Sequence, residues 1–434
     1  MKPNPQMQSN DQPQRAGAEG RLHYGFVVLG LVILVVFSAL GLARFGYTSI
    51  LPAMQEALKL SNTQTGVLQS WNLVGYLVTV VFSGILAARF GPRVVIAVGL
   101  LVVAAGMGLT GLIPTFGAAC AGRFLAGVGG ASSNVPAMAL LSSWFGARRR
   151  GLAAGAGVGG SSVALIVTGP LIPAILQRYG ADGWRVSWYA LAALTLLVFV
   201  AAALFLRNRP AEKGLRPIGE SEAERNSSPA AVAASALDWG SVYRSGQLWK
   251  LAGIYFGFGF SYIIYSTFFV RYLTGEAGFS RAGAGALWMQ VGMVSMVSGF
   301  LWGSVSDRWG RRMALLWVFG LQGASFLLFG LSREGWGVYL SAGLFSLTAW
   351  SVPALMAALC GDLFGARLAP AALGLMTLVF GLGQALGPYL AGVIADATHS
   401  FAPAFLLAGA VALLVGGGGS LMLQRGLGRV KVEG

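Results

Sequence analysis

From the N-terminus onward, long unbroken apolar runs alternate with short polar interruptions. Twelve runs are long enough to cross a ~30 Å hydrocarbon core as helix, which takes about 20 residues. They fall at 24–52, 65–87, 93–114, 117–143, 151–177, 184–206, 249–273, 283–305, 312–331, 336–361, 370–394 and 400–423. Within them apolar and polar residues do not alternate, as 25–40 shows, so the two-residue period of a membrane β-barrel is absent. The pattern predicts an all-α membrane protein. Two polar stretches break the rhythm. Residues 1–20, rich in Gln, Pro and Asn, lack the apolar segment of a signal peptide and read as a disordered tail. Residues 207–247, with Glu212, Glu220, Glu222, Glu224 and an Ala/Ser/Pro run, read as a linker. It divides the helices six and six, into bundles at 21–206 and 248–424, with a second tail at 425–434.

Composition agrees. Of 434 residues 56% are hydrophobic and only 10% charged, against about 25% charged in a soluble domain. The formal charge of +15 would suit nucleic acid only if the basic residues were clustered and exposed. They follow topology instead. Placing both termini in the cytoplasm leaves only Lys59, Arg178, Arg185, Arg271, Arg281 and Arg333 outside and Arg44 and Arg123 within helices, with the remaining Lys and Arg inside. This argues against a nucleic-acid partner. Cys120 and Cys360 share no ligand spacing, and His23 and His399 are too few for a zinc site, so no metal or other cofactor is expected.

The second half repeats the first. At a constant offset of 219 residues, Gly91-Pro92-Arg93 falls on Gly310-Arg311-Arg312, Phe145-Gly146-Ala147-Arg148 on Phe364-Gly365-Ala366-Arg367, and Ser61 on Ser280. With the register slipping by one, Gly169-Pro170 falls on Gly387-Pro388. Ordered matches of this kind mark a duplicated unit, hence two pseudo-symmetric six-helix bundles.

The loop Gly303-Ser-Val-Ser-Asp307-Arg308-Trp-Gly310-Arg311-Arg312 resembles the GxxxDRxGRR signature of the major facilitator superfamily. Its first-half counterpart, Gly84 to Arg93, carries Arg89 but has Ala88 where the signature has Asp, so a charge-assisted latch is expected only around Asp307, Arg308 and Arg311. Arg123-Phe-Leu-Ala-Gly127-Val-Gly129 is similar to the family's RxxxGxG motif, a position linked in relatives to proton movement. Ala43 to Thr48 with Leu51 to Gln55 resembles the bacterial YbfB-type branch and, more distantly, oxalate/formate and monocarboxylate carriers. Gly169-Pro170 resembles the antiporter motif of drug exporters, with Pro173-Ala174 where a Gly pair is expected; with Gly387-Pro388 it reads as a matched pair of bends. The resemblance implies the major facilitator fold, with substrate held between the halves.

An ionisable residue at the bilayer centre costs roughly 2.5 to 3.5 kcal/mol on insertion scales and therefore faces a cavity or a partner. Arg44 lies about 20 residues, or ~30 Å, into the first helix. Its planar fork suits a carboxylate or similar oxyanion, although snorkelling to the headgroups is the bland alternative. Tyr47 shares its face. Asn134, Tyr262, Tyr265, Gln290, Trp350 and Gln384 are the polar and aromatic candidates for the rest of a substrate site, against a packing role for each alone. Arg123 has two readings, structural and coupling. No Asp, Glu or His falls within the apolar runs, so an enzyme lacks its base or nucleophile, and proton coupling lacks a titrating acid. Coupling then runs through the substrate's own carboxyl, through Arg-linked waters, or is absent.

The expectation is a monomeric secondary active transporter in the bacterial inner membrane that moves a small organic anion, a carboxylate first of all, by alternating access. Proton-coupled efflux of drugs or metabolites and a transporter-like membrane sensor are the alternatives.

Overall fold

The computed structural model describes residues 23–112, 115–220, 243–332 and 335–423. The expected tails at 1–20 and 425–434 and the linker centre at 221–242 lie outside the described residues. Helices α1 (Tyr24–Leu58), α2 (Asn62–Phe90), α3 (Pro92–Leu112) and α4 (Phe116–Trp144) are followed by one apolar stretch, Ala147–Phe205. A single 3-10 turn, Gly180–Asp182, divides that stretch into α5 (Ala147–Tyr179) and α6 (Gly183–Phe205). After the linker come α7 (Gly246–Gly275), α8 (Arg281–Trp309), α9 (Arg311–Leu331), α10 (Trp336–Gly365), α11 (Ala372–Thr398) and α12 (Ala402–Leu421). The predicted spans are recovered within a few residues except at α1, which continues beyond Pro52 to Leu58.

The repeat is written into the backbone. Ser61 and Ser280 both cap helices, accepting from the amides of Gln64 and Gly283, the usual role of Ser at an N-cap. Gly91 (φ 82°) and Gly310 (φ 90°) make the same left-handed corner between helices, a conformation open to glycine because it has no Cβ. Left-handed backbone recurs at the same offset at Lys59 and Gly278 and at Gly180 and His399.

Small residues let the helices approach backbone to backbone, the dominant packing device in lipid, where burial of apolar surface drives nothing. Within the first half, Gly75 and Gly127 join α2 to α4, and Gly106 and Gly122 join α3 to α4. Between halves, a Cβ on Gly66 would meet the Pro388 carbonyl, one on Gly392 the backbone of Asn62 and Thr63, and one on Gly169 the Gly285 carbonyl. Gly387 approaches the Phe260 carbonyl of α7. Both α5 and α11 run through their Gly-Pro pairs as continuous helix. The departures from α geometry lie elsewhere: a π segment over Phe37–Phe45 in α1, an interruption at Met296–Val297 in α8, a turn at Ala349–Trp350 in α10, and a π segment over Ala412–Gly417 in α12.

Candidate functional site

The halves are joined at the end that the Lys and Arg distribution assigns to the outside. Glu56 of α1 pairs with Arg281 of α8 at 3.2 Å, and Arg271 Nε of α7 donates to Gln55 Oε1 at 2.7 Å. The Asp396 carboxylate on α11 accepts from the amides of Asn62 and Thr63, at 2.9 and 2.8 Å, at the start of α2, where the helix dipole favours an anion. Deeper, Thr48 Oγ1 donates to the Ser266 carbonyl at 2.7 Å and Ser70 Oγ to the Ala385 carbonyl at 2.6 Å. Ser162 of α5 meets Ser295 of α8 at 2.8 Å and accepts from Trp350 Nε1 of α10 at 2.8 Å. The Phe45 ring lies 5.4 Å from that of Trp350.

Toward the linker end the halves part. A cavity of about 930 Å³ separates Tyr76, Val80 and Val81 of α2 and Val135, Ala139 and Ser142 of α4 from Ala357 of α10 and Leu373, Leu375, Thr377 and Leu378 of α11. Its wall is predominantly apolar. Arg44 lies over the Tyr76 ring, 4.9 Å from its centroid, and Asn134 Nδ2 donates to the Tyr76 hydroxyl at 2.9 Å. From the other half, the Tyr262 hydroxyl stands within reach of the Arg44 guanidinium and accepts from Gln384 Nε2. Tyr262 belongs to a stack of near-parallel rings: Phe258 at 4.6 Å, and Tyr255 against Phe380 at 4.3 Å.

Arg44 is 6% exposed, its Nε has no hydrogen-bond partner, and it forms no salt bridge among the described residues. A buried guanidinium without an acid is an uncompensated charge. Cation–π contact offsets part of that cost, about 0.5 to 2 kcal/mol.

Arg44, Asn134, Tyr262 and Gln384 are thus brought together, with Trp350 bridging the halves beside Phe45. The other candidates sit elsewhere. Tyr47 is buried in the first half, donating to the Thr65 carbonyl at 2.9 Å and stacking on Trp188. Tyr265 is packed among Phe326, Phe329 and Phe345 and bonded to Ser341. Gln290 is exposed on the outer surface of α8. At the linker end, Arg311 is held by Asp307 at 2.6 Å, Ser306 at 2.6 Å and Asp362 at 3.0 Å, while Arg308 lies exposed over Trp309. Among the described residues, the first half has no such carboxylate at the matching corner. Arg89 is exposed over Phe90, and Arg93 instead bonds the Ala203 carbonyl through Nε and Nη2. Sequence reasoning passed over Tyr76, although it lies one helical turn beyond Asn72 and two beyond Gln69, on the same face of α2.

A sequence model of the Major Facilitator Superfamily matches residues 33–332 and 291–425. The chain belongs to the major facilitator superfamily. This superfamily member is 26% identical over 424 residues to the probable sulfoacetate transporter SauU of Cupriavidus necator, covering 93% of this chain and 95% of that protein. It is 28% identical to mouse monocarboxylate transporter 11 (88% of this chain, 84% of that protein). Against the Bacillus subtilis hexuronate transporter identity is 24% (83% and 86%). Among solved structures, a bacterial homologue of the human lysosomal transporter Spinster superposes with a TM-score of 0.71 at 16% identity, covering 93% of this chain and 97% of that one. The nucleoside transporter NupG superposes at 0.69 and 13% identity, covering 93% and 100%. The fold is that of a membrane transporter rather than an enzyme.

Proposed function

We propose that this protein is a secondary active transporter of a small organic anion in the bacterial inner membrane, working by alternating access, with Arg44 as the charge anchor. The observation that carries the reading is the acid-free, partner-poor guanidinium of Arg44 beside a cavity shared by both halves. Relatives named for sulfoacetate, monocarboxylates and hexuronate, all anionic, support it. With the linker end in the cytoplasm, the outer end is closed and the cavity faces inward. One cation behind Tyr76 of a predominantly apolar wall fits an anion of single charge with an apolar body better than a dianion or a polyol. No ionisable acid stands near Arg44 among the described residues, so the substrate supplies the counter-charge.

Thermal shift of the purified protein tests this, using butyrate, benzoate, sulfoacetate, tartrate, glucuronate and ethidium. A ligand at about 100 times its Kd adds about 2.7 kcal/mol to the folded state. The expected result is stabilisation by a monoanion that disappears in Arg44→Ala, whose own melting temperature stays within a few degrees of wild type. Stabilisation by ethidium alone would replace this reading with efflux of amphipathic compounds, for which the ring stack around Tyr262 would be the platform.

A further inference from the structure

Arg44 is aimed by an irregular piece of backbone. In α1 the four-residue ladder gives way to a π segment over Phe37–Phe45, which closes with the Gly46 amide bonded to the Gly41 carbonyl. Arg44 occupies the last turn of that segment. Arg123 of α4, fully buried, reaches this point from behind. Its Nη1 donates to the carbonyl of Ala43, the residue immediately before Arg44, and its Nη2 to Gln69 Oε1 at 2.6 Å. The guanidinium lies against the stacked rings of Tyr47 and Trp188, 4.7 and 5.4 Å from their centroids. Asn72 Nδ2 donates to the Arg123 carbonyl at 3.1 Å. Arg123 is thus fixed from α1, α2 and α6 and pairs with no carboxylate among the described residues; neither it nor Arg44 lines the cavity directly, but Arg44 lies over Tyr76, which does.

Two physical facts give this arrangement meaning. Burying a charge is expensive unless its donors are used, and here the two arms of the fork go to a backbone oxygen and a side-chain amide, with only Nε left without a partner. A side chain entering the backbone ladder is a recognised cause of helix distortion, and π turns concentrate at functional sites. We propose that Arg123 is a positioning residue for anion binding: by holding the Ala43 carbonyl it fixes the π segment that presents Arg44 to the cavity. Lysine, a point charge without the fork, cannot serve both acceptors in this way. The proposal rests on the reading of Arg44 as the anion anchor, and makes Arg123 act through that residue rather than on protons.

The test uses the full-length protein in detergent, with benzoate as the probe. Arg123→Met, Arg123→Lys and Gln69→Leu are made alone and on an Arg44→Lys background. Benzoate affinity is read by titrated thermal shift, and backbone opening by hydrogen exchange at amides 41–48. Arg123→Met should weaken benzoate about tenfold or more, the scale of a lost charged hydrogen bond, with Arg123→Lys intermediate and exchange at 41–48 faster. On the Arg44→Lys background the further loss should shrink to about twofold, because the two residues act as one unit. Equal weakening on both backgrounds, unchanged affinity, or unchanged exchange at 41–48 would overturn the proposal. Should Arg123→Met not fold, Gln69→Leu releases the other arm of the fork and is judged by the same criteria. Failure of benzoate to stabilise the wild type counts against the anion reading alone. The exchange at 41–48 then decides the role of Arg123 by itself, faster exchange supporting it and unchanged exchange refuting it.

Discussion

Replacing Gly66 with alanine should open the outer end of the protein. The added methyl would run into the carbonyl group of Pro388 and the Cα of Tyr389, all backbone atoms that cannot rotate aside. Overpacking of this kind costs about 1 to 3 kcal/mol, and the cost falls only on the closed conformation, where α2 and α11 touch at this point. At 1.4 kcal/mol per tenfold, the ratio of closed to open molecules falls by roughly five- to 150-fold. The Glu56–Arg281 pair, with side chains 77% and 51% exposed, cannot resist this, since exposed pairs contribute about 0 to 1 kcal/mol. Ser70→Cys supplies the reporter: Ser70 Oγ faces α11, bonded to the Ala385 carbonyl, and the native Cys120 and Cys360 are buried. The rate of labelling by an impermeant maleimide added from outside should rise by the same factor in Gly66→Ala. Equal rates with and without the substitution would refute the claim that glycine packing, rather than ion pairing, keeps this end shut.

Other expectations concern the linker end. Gly310 has φ 90° and ψ 154°, a region essentially restricted to glycine, so Gly310→Ala should destabilise by about 1 to 3 kcal/mol; its effect is read as a fall in melting temperature. Gly303→Ala, where a Cβ meets nothing, is the matched control and should leave the melting temperature unchanged or slightly raised. Asp307 is 65% exposed and Arg311 keeps Asp362 and Ser306 without it, so Asp307→Asn should cost under about 1 kcal/mol. The double variant Asp307→Asn/Asp362→Asn strips Arg311 of both carboxylates and should lose more than the sum of the single variants in a melting-based cycle.

The helices were legible because a chain in lipid must be apolar over whole spans, and the duplication was legible because corners such as Gly91 and Gly310 tolerate few substitutes. The join between α5 and α6 was legible as well: Arg178, Gly180 and Asp182 interrupt the apolar run, and the structure puts a three-residue turn there. Arg44 stood out by its cost in the bilayer; in the structure it is buried over the Tyr76 ring, with no carboxylate partner among the described residues. Rotation of the polar candidates did not stand out. Tyr265 and Tyr262 are three residues apart, yet one is sealed among phenylalanines and bonded to Ser341 while the other meets Arg44 and Gln384. The π segment of α1 was invisible, and so was the hydrogen bond that Arg123 of another helix makes to its Ala43 carbonyl.

The acid-free interior has an electrical consequence. With the linker end inside, the empty protein presents an unneutralised positive charge on Arg44 between its halves. A membrane that is negative inside pulls such a charge inward, by about 2.3 kcal/mol per 100 mV if the full field is crossed and proportionally less for a fraction of it. The resting voltage therefore favours the conformation seen here, with the cavity toward the linker end. On the anion reading, a bound monoanion would cancel the Arg44 charge and leave Arg123 as the remaining buried cation. The return of the empty carrier would then feel the cell's membrane potential more strongly than the passage of the cargo does.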